Sequence, residues 1–367
     1  MFLSLMLWIA GRGANSMFLD WFNGKKVFLT GHTGFKGSWL SRLLVTHGAK
    51  VMGYSLEPPT KPDLFSLSGV SKEMDSVIGD VRDLSSLKKT FDGFSPEIVM
   101  HLAAQPIVRE SYKDPVYTYE TNVMGTVNIL ECVRHSDTVR SVLNVTTDKV
   151  YKNNEWEWGY RENEPLDGFD PYSNSKSCSE LVTHSYINSF FKEKGLPVST
   201  ARAGNVIGGG DFAPDRIIPD AVRAAGAGKE IIVRNPNSTR PYQHVLEPLY
   251  AYLLIVKAQY EDKDKAGFYN VGPDEKDCVT TGELCDIFCR SWGRGLSWRA
   301  ESDNGPHEAN FLKLDCSKLK RTFSWKSVWS VSEAIEKTVE WSRVYFDGGD
   351  IPSEMDREIE VFYGKME

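Results

Sequence analysis

Tyr172 and Lys176 stand four residues apart in Tyr172-Ser-Asn-Ser-Lys176, one turn of a helix, so on a helix they share a face. A phenol with a pKa near ~10 is a poor base at neutral pH. A neighbouring ammonium favours its phenolate, and a second positive charge favours it further; a shift of ~3 units needs about 4 kcal/mol. Such a phenolate can take the proton of a hydroxyl while hydride leaves the same carbon. Upstream, Thr30-Gly-His-Thr-Gly-Phe-Lys-Gly37 spaces three glycines between an apolar run and an amphipathic one. Gly31 permits a sharp turn, Gly34 lets backbone approach a pyrophosphate, and Gly37 allows a helix to pack closely on a strand. A helix starting there would offer free N–H groups and its positive dipole end to phosphates. A hydride donor–acceptor chemistry on a bound dinucleotide follows, with the nicotinamide as the second positive charge.

Two further groups have chemical potential. Thr147-Asp-Lys149 ends an apolar run just before the Tyr/Lys pair. Asn205, Asp211, Arg216, Arg234, Arg240 and His244 fall in a stretch rich in glycine, proline and arginine. Arginine's planar fork suits a diphosphate. Gln105-Pro106 and Arg109 follow a strand's carboxyl end, where ligands bind in parallel sheets, and are placed beside the substrate. Ser55 and Glu57 follow the second strand, with no arginine there to receive a 2′-phosphate, so NAD is favoured over NADP. Asp80 is placed to meet the adenine.

The elements that must hold these groups alternate. Strands are expected over residues 26–30, 49–54, 76–79, 97–102, 141–145 and 197–201, and helices over 38–47, 121–135 and 174–194. That alternation predicts an α/β fold with a doubly wound parallel (Rossmann) sheet. After Gly204 the elements shorten and tryptophans appear at 292, 298, 325, 329 and 341, which predicts a smaller C-terminal mixed α/β substrate domain. The expected division is a dinucleotide-binding domain over 17–204, with part of 243–275 returning to it, and a substrate domain over 205–242 and 276–367.

The chain of 367 residues is 41% hydrophobic and 25% charged, with a net charge of −7. Bulk disorder is excluded by that composition, and an acidic chain is a poor binder of nucleic acid. A phosphorylated ligand must be caught by local groups. The six cysteines form no C-x-x-C pair or metal-ligand cluster, so no metal is expected, and they read as small core residues of a reducing, cytoplasmic compartment. No apolar run reaches membrane length. Residues 1–16 resemble a signal sequence but lack a basic start, and Met17 opens what reads as the folded domain; an upstream start codon or disordered tail is expected there.

The turn at 30–37, His101-Leu-Ala-Ala104, Thr121-Asn122, Thr147 and the Tyr172/Lys176 pair together resemble the extended short-chain dehydrogenases/reductases. More closely, Thr30–Trp39, Tyr54–Phe65, His101–Pro106, Thr147-Asp-Lys149, Arg202–Asp211 and Arg240–Val245 resemble the sugar-nucleotide 4,6-dehydratases, and within them the CDP-glucose branch. The similarity runs from about Phe22 nearly to the end. It implies bound NAD, held by Gly31, Thr33, Gly34, Phe35, Lys36, Gly37, Ser55, Asp80, Val81, Leu102, Ala103, Ala104, Asn122, Tyr172 and Lys176. It implies CDP-glucose as substrate, with Gln105, Arg109, Asn205, Asp211, Arg216, Arg234, Arg240, His244 and His307 around it. In the family's chemistry Tyr172 is the C4 base, Thr147 bonds the C4 oxygen and Asp148 is the acid for the departing C6 oxygen. Lys149 stands where most related dehydratases carry glutamate as C5 base. An ammonium accepts no proton, so Lys149 acts either as a neutral amine or as an electrostatic group. The resemblance further implies a homodimer or homotetramer paired through the helices at 121–135 and 174–194, and a role in deoxysugar synthesis for lipopolysaccharide O-antigen. Two other readings stand beside it. A nucleotide-sugar 4-epimerase needs no acid for water loss, and an NAD-sensing protein needs no Tyr/Lys pair.

Overall fold

In the computed structural model, which describes residues 18–301 and 311–366, the apolar runs become one seven-stranded parallel sheet. Its strands are β1 (Lys26–Thr30), β2 (Lys50–Ser55), β3 (Asp75–Ile78), β4 (Ile98–His101), β5 (Ser141–Thr147), β6 (Val198–Ala203) and β11 (Phe268–Val271). They run in the order β11-β6-β5-β4-β1-β2-β3. The order reverses between β1 and β4, which pair directly from Val27↔Ile98 to Thr30↔His101. A crevice opens at the carboxyl ends of strands flanking such a reversal. The doubly wound sheet expected from the sequence is therefore the observed one, with β11 added at its far edge.

The helices start where local chemistry allows. Helix α1 (Phe35–Thr46) begins three residues earlier than its apolar periodicity predicts, with Gly34 as N-cap and no side-chain cap on its first N–H groups. Helix α2 (Leu84–Phe94) is capped by Asp83, whose carboxylate accepts from Ser86 N. Helix α3 (Gly125–Arg134) is preceded by a widened turn over Glu120–Met124. Helix α4 (Pro171–Tyr186) opens with Asp170, which accepts from Ser173 N, and with Pro171 in the first turn, where no N–H is missed. This start puts Tyr172 in the first turn and Lys176 one turn deeper.

Short strands form the remainder: β7 (Val206–Ile207), β8 (Ile231–Val233), β9 (Thr239–Pro241), β10 (Gln243–His244), β12 (Cys278–Thr280) and β13 (Trp298–Ala300), paired as β10–β7, β12–β9 and β13–β8. Helices α5 (Ile217–Gly226), α6 (Leu246–Glu261), α7 (Thr281–Trp292), α8 (Val331–Phe346) and α9 (Ile351–Gly364) are the longer helices of this half. One apolar cluster joins Ile218, Leu284, Phe288 and Ile335 under the short strands. Trp325, Trp329 and Trp341, which the sequence groups with that smaller part, pack instead with Trp39, Leu43, Met355 and Phe362 against the large sheet. Residues 1–16 and His307 lie outside the described residues.

Candidate active site

A cavity of about 1060 Å³ runs along the carboxyl ends of the large sheet and into the groove beside the short strands. Its first wall is the glycine turn. Gly31 has φ +76°, and a Cβ there would meet Ala103 N at 2.7 Å; a Cβ on Gly37 would meet Gly31 O at 2.1 Å. Only glycine lets the turn, the strand β4 exit and α1 approach this closely. Thr33, Gly34, Phe35 and Lys36 line the same wall. Thr33 Oγ1 lies 2.9 Å from Ser55 Oγ and donates to Leu56 O at 2.8 Å, which ties the turn to the end of β2. Ser55, Glu57, Asp80 and Val81 border one end. Arg82 grips Asp80 at 2.7 Å and holds its carboxyl below the usual range. Leu102, Ala103 and Ala104 form the floor beyond β4. Open backbone, an uncapped helix start and a charged carboxylate at the far end fit a dinucleotide.

The centre is built from β5 and α4. Thr147, Asp148, Lys149 and Tyr172 all line the cavity. Asp148 is wholly buried; its Oδ1 accepts from Thr147 Oγ1 at 3.0 Å and from Lys149 Nζ at 3.1 Å, while Oδ2 has no protein partner. A Cβ on Gly204 would strike that Oδ2 at 2.7 Å, so the open oxygen depends on glycine at 204. Lys149 Nζ also donates to Asn205 Oδ1 at 3.4 Å. Burial pushes the Tyr172 phenol up to about 12; a hydrogen bond from Thr147 and the charge of Arg216 oppose this, while Asp148 adds to it.

Lysine charges are arranged differently from the sequence expectation. Lys176 is buried, donates from Nζ to Val145 O at 3.1 Å and does not reach the cavity wall. Burial and then Lys36 lower it to about 7, with Glu180 opposing. It stands one turn beyond Tyr172 on α4, behind the cavity wall. Lys36, expected at the cofactor, lines the cavity within electrostatic reach of Asp148, Lys149 and Arg216. Burial and then Arg216 and Lys149 lower it to about 8, with Asp148 opposing.

The substrate groove carries Gln105, Arg109, Asn205, Asp211, Arg216, Arg234 and Arg240 on its walls. Arg216 pairs with Asp211 at 2.9 Å and Arg234 with Asp215 at 2.8 Å. Besides Lys176, two expected residues are elsewhere. Asn122 is buried outside the wall, where Oδ1 accepts from Gln105 N at 2.8 Å and Nδ2 donates to Gln105 O at 3.0 Å and Ser175 Oγ at 2.9 Å. It fixes the segment that lines the cavity and does not line it. His244 is fully buried between Trp39 and Trp329, its Nδ1 accepting from Leu246 N at 3.3 Å and its Nε2 3.5 Å from Glu358. The pairing of β10 with β7 turns this side chain into the core. Ile232, Tyr242 and Thr281 also wall the groove and were not singled out from the sequence. The sequence carries no signal for Ile232, because Ile231-Ile-Val233 is uniformly apolar and only the fold exposes the middle residue.

A parallel sheet with a glycine-turn cofactor wall, a Tyr/Lys helix and an arginine-lined groove defines a dinucleotide-dependent enzyme of the short-chain dehydrogenase/reductase class. The model of the GDP-mannose 4,6 dehydratase family matches residues 28–338, and the chain belongs to that family. The CDP-glucose 4,6-dehydratase of Salmonella typhimurium strain LT2 is 47% identical over 90% of this chain and 94% of its own length. A probable dTDP-glucose 4,6-dehydratase of Sinorhizobium fredii is 27% identical over 88% of this chain and 93% of its own. Among solved structures, the UDP-glucose 4-epimerase of Thermus thermophilus in complex with NAD superposes with TM-score 0.76 at 25% identity, covering 87% of this chain and 99% of that one. A dTDP-glucose 4,6-dehydratase of Streptomyces venezuelae with NAD bound shares the fold with TM-score 0.76 at 24% identity, covering 89% and 99%.

Proposed function

We propose that the protein is an NAD-dependent CDP-glucose 4,6-dehydratase, a hydro-lyase that converts CDP-glucose to CDP-4-keto-6-deoxyglucose. Bound NAD supplies a hydride acceptor for C4 and the hydride donor for C6, with no net consumption. Tyr172 takes the proton of the C4 hydroxyl. Thr147 donates to the C4 oxygen as it becomes a ketone. The ketone acidifies the C5 proton, which Lys149 takes as a neutral amine and returns to C5 as C6 is reduced. Asp148 gives a proton to the C6 oxygen, which departs as water. Arg216, Arg234 and Arg240 bind the diphosphate and nucleotide.

The observation that carries this reading is the carboxyl of Asp148, buried beside Thr147 and Lys149 with one oxygen unpartnered and on the same cavity wall as Tyr172. A 4-epimerase has no step for such an acid. The relative in Salmonella, 47% identical along nearly the whole chain, supports cytidine as the nucleoside. A homodimer or homotetramer through the α3 and α4 region is part of the proposal; Val116, Met124 and Leu181 are exposed there. So is a cytoplasmic place in deoxysugar synthesis for lipopolysaccharide. The test is a panel of CDP-, UDP-, dTDP- and GDP-glucose with purified protein and NAD. CDP-glucose should give a product lighter by one water with ketone absorbance in alkali. A 4-epimer of unchanged mass, or NAD binding without turnover of any of the four, would overturn it.

A further inference from the structure

Glu180 follows Tyr172 by eight residues and Lys176 by four on α4, so the three share one helix face. Its side chain is wholly buried, and both oxygens are engaged. Oε1 accepts from Thr146 Oγ1 at 2.5 Å. Oε2 accepts from Thr200 Oγ1 at 2.8 Å and from Arg202 Nη2 at 2.8 Å. Thr146 immediately precedes Thr147 on β5. The first of these bonds therefore joins the helix of Tyr172 and Lys176 to the strand end of Thr147, Asp148 and Lys149.

Arg202, on β6, is equally buried. Its Nη1 donates to Tyr151 Oη at 2.8 Å and to Glu162 O at 3.0 Å, and its guanidinium lies 5.1 Å from the Tyr151 ring centroid. Tyr151 stands two residues beyond Lys149, and its own hydroxyl donates to Asn270 at 2.6 Å on β11. The carboxylate and guanidinium thus hold the catalytic segment 147–149 from both sides. A buried ion pair recovers little more than the cost of desolvating it, so stability alone is a weak reason for this one.

We propose that Glu180, held by Arg202, is a positioning residue of the dehydration: it latches the Tyr172/Lys176 helix to the Thr147–Lys149 strand end. Glu180 also supports the protonated form of Lys176, one turn before it on the same helix. Lys176 is faced by Lys36 from α1, by His101 from β4, and by Tyr172 and Glu180 on its own helix. His101 is held neutral by burial, near 3. Lys36 opposes the protonated form of Lys176, and Glu180 supports it. Glu180 itself is faced by Arg202 from β6, by Tyr151, and by His184 at 4.0 Å on its own helix.

The inference rests on the proposed dehydratase reading only for the choice of assay substrate. Glu180→Gln alone strands Arg202 in the core and can unfold the protein. The test therefore uses the double variant Glu180→Gln/Arg202→Met, which removes both charges, together with Thr146→Val, which removes one latch bond and keeps the ion pair. Folding is read by circular dichroism. NAD affinity is read by calorimetry without sugar nucleotide, and kcat and KM for CDP-glucose are read from about pH 6 to about pH 9.5, a range spanning the lysine titrations. In the folded double variant kcat should fall ~10-fold or more with KM changed less than ~3-fold, as expected when reacting groups are misplaced and binding is not. The alkaline limb of kcat and of NAD affinity should move down by about half to one pH unit, since the ammonium of Lys176 loses its support. Thr146→Val should lower kcat without moving the limb. A folded double variant with the wild-type alkaline limb in NAD affinity would overturn the proposal, as would a loss of kcat equal at every pH. Because the NAD arm needs no turnover, failure of every sugar nucleotide as substrate would sink the dehydratase reading while the latch was still decided.

Discussion

In the proposed dehydration the phenol of Tyr172 and the carboxyl of Asp148, both on the cavity wall, do opposite proton work. Burial is the main reason the phenol stands at about 12, the wrong way for a base, and Lys176 is not among the groups that offset it. Arg216 and the Thr147 hydroxyl are. A bound cationic nicotinamide would favour the phenolate further, so base strength would be coupled to cofactor occupancy. Removing each group should stop the reaction at a different point. Tyr172→Phe should lower the rate ~10²–10⁴-fold with no ketone formed, because the first proton has no acceptor. Asp148→Asn should slow product formation by a similar ~10²–10⁴-fold yet still oxidise C4. Quenching with borodeuteride then traps deuterium at C4 of an intact hexose in Asp148→Asn and none in Tyr172→Phe. Equal trapping in both would contradict the separate roles.

Among the elements, the glycine turn and the start of α4 do most to place these groups. Gly37 sits where its Cβ would come 2.1 Å from Gly31 O and 2.7 Å from His32 Cα, both backbone atoms that cannot swing away. Gly37→Ala must push α1 off β1 and displace the N–H groups of its first turn. A destabilisation of about 1–3 kcal/mol is expected for such overpacking, with NAD raising the melting temperature of the wild type more than that of the variant. Thermal melts with and without NAD check this. Helix α4 is placed by Asp170 and Pro171, which stop the chain from extending the helix backward and so fix Tyr172 in the first turn.

Across the whole molecule, the C-terminal helices are tied to the sheet through polar groups sealed in the interior. Glu247, on α6, accepts at Oε1 from Val328 N at 2.9 Å and Trp329 N at 2.7 Å, while Oε2 has no partner. Burial raises its pKa to about 8 against the two backbone bonds, which lower it. The folded form therefore holds a proton that the unfolded chain releases near its ordinary 4.5. This group's contribution to stability is complete below about pH 4.5 and is lost as pH rises through about 8. Glu247→Gln keeps an acceptor for both N–H groups and cannot ionise. Measured by urea unfolding, the wild type should lose up to about 1 kcal/mol per pH unit relative to the variant across that window. A constant difference from pH 5 to 9, values chosen roughly to span it, would show that Glu247 does not titrate there.

The sequence by itself determined the parallel sheet, the glycine turn and the Tyr/Lys and Thr-Asp-Lys groups. Each is a local pattern, a period or a fixed spacing; β1 and β5 appear within two residues of their expected bounds, and α4 starts three residues early and gives way at Tyr186 to a widened turn over Ile187–Phe191. Spacing also held the Glu180 signal, one turn beyond Lys176, but nothing local says that Thr146 and Arg202 meet it. Pairing across the sheet decided that, as it decided that His244 turns inward while Arg240, on the neighbouring strand, lines the groove. The direction of a side chain on a short strand depends on which partner the strand finds. The charge on a buried lysine depends on which other lysines fold against it. Both are set by contacts between residues far apart in the chain, which only the tertiary structure brings together.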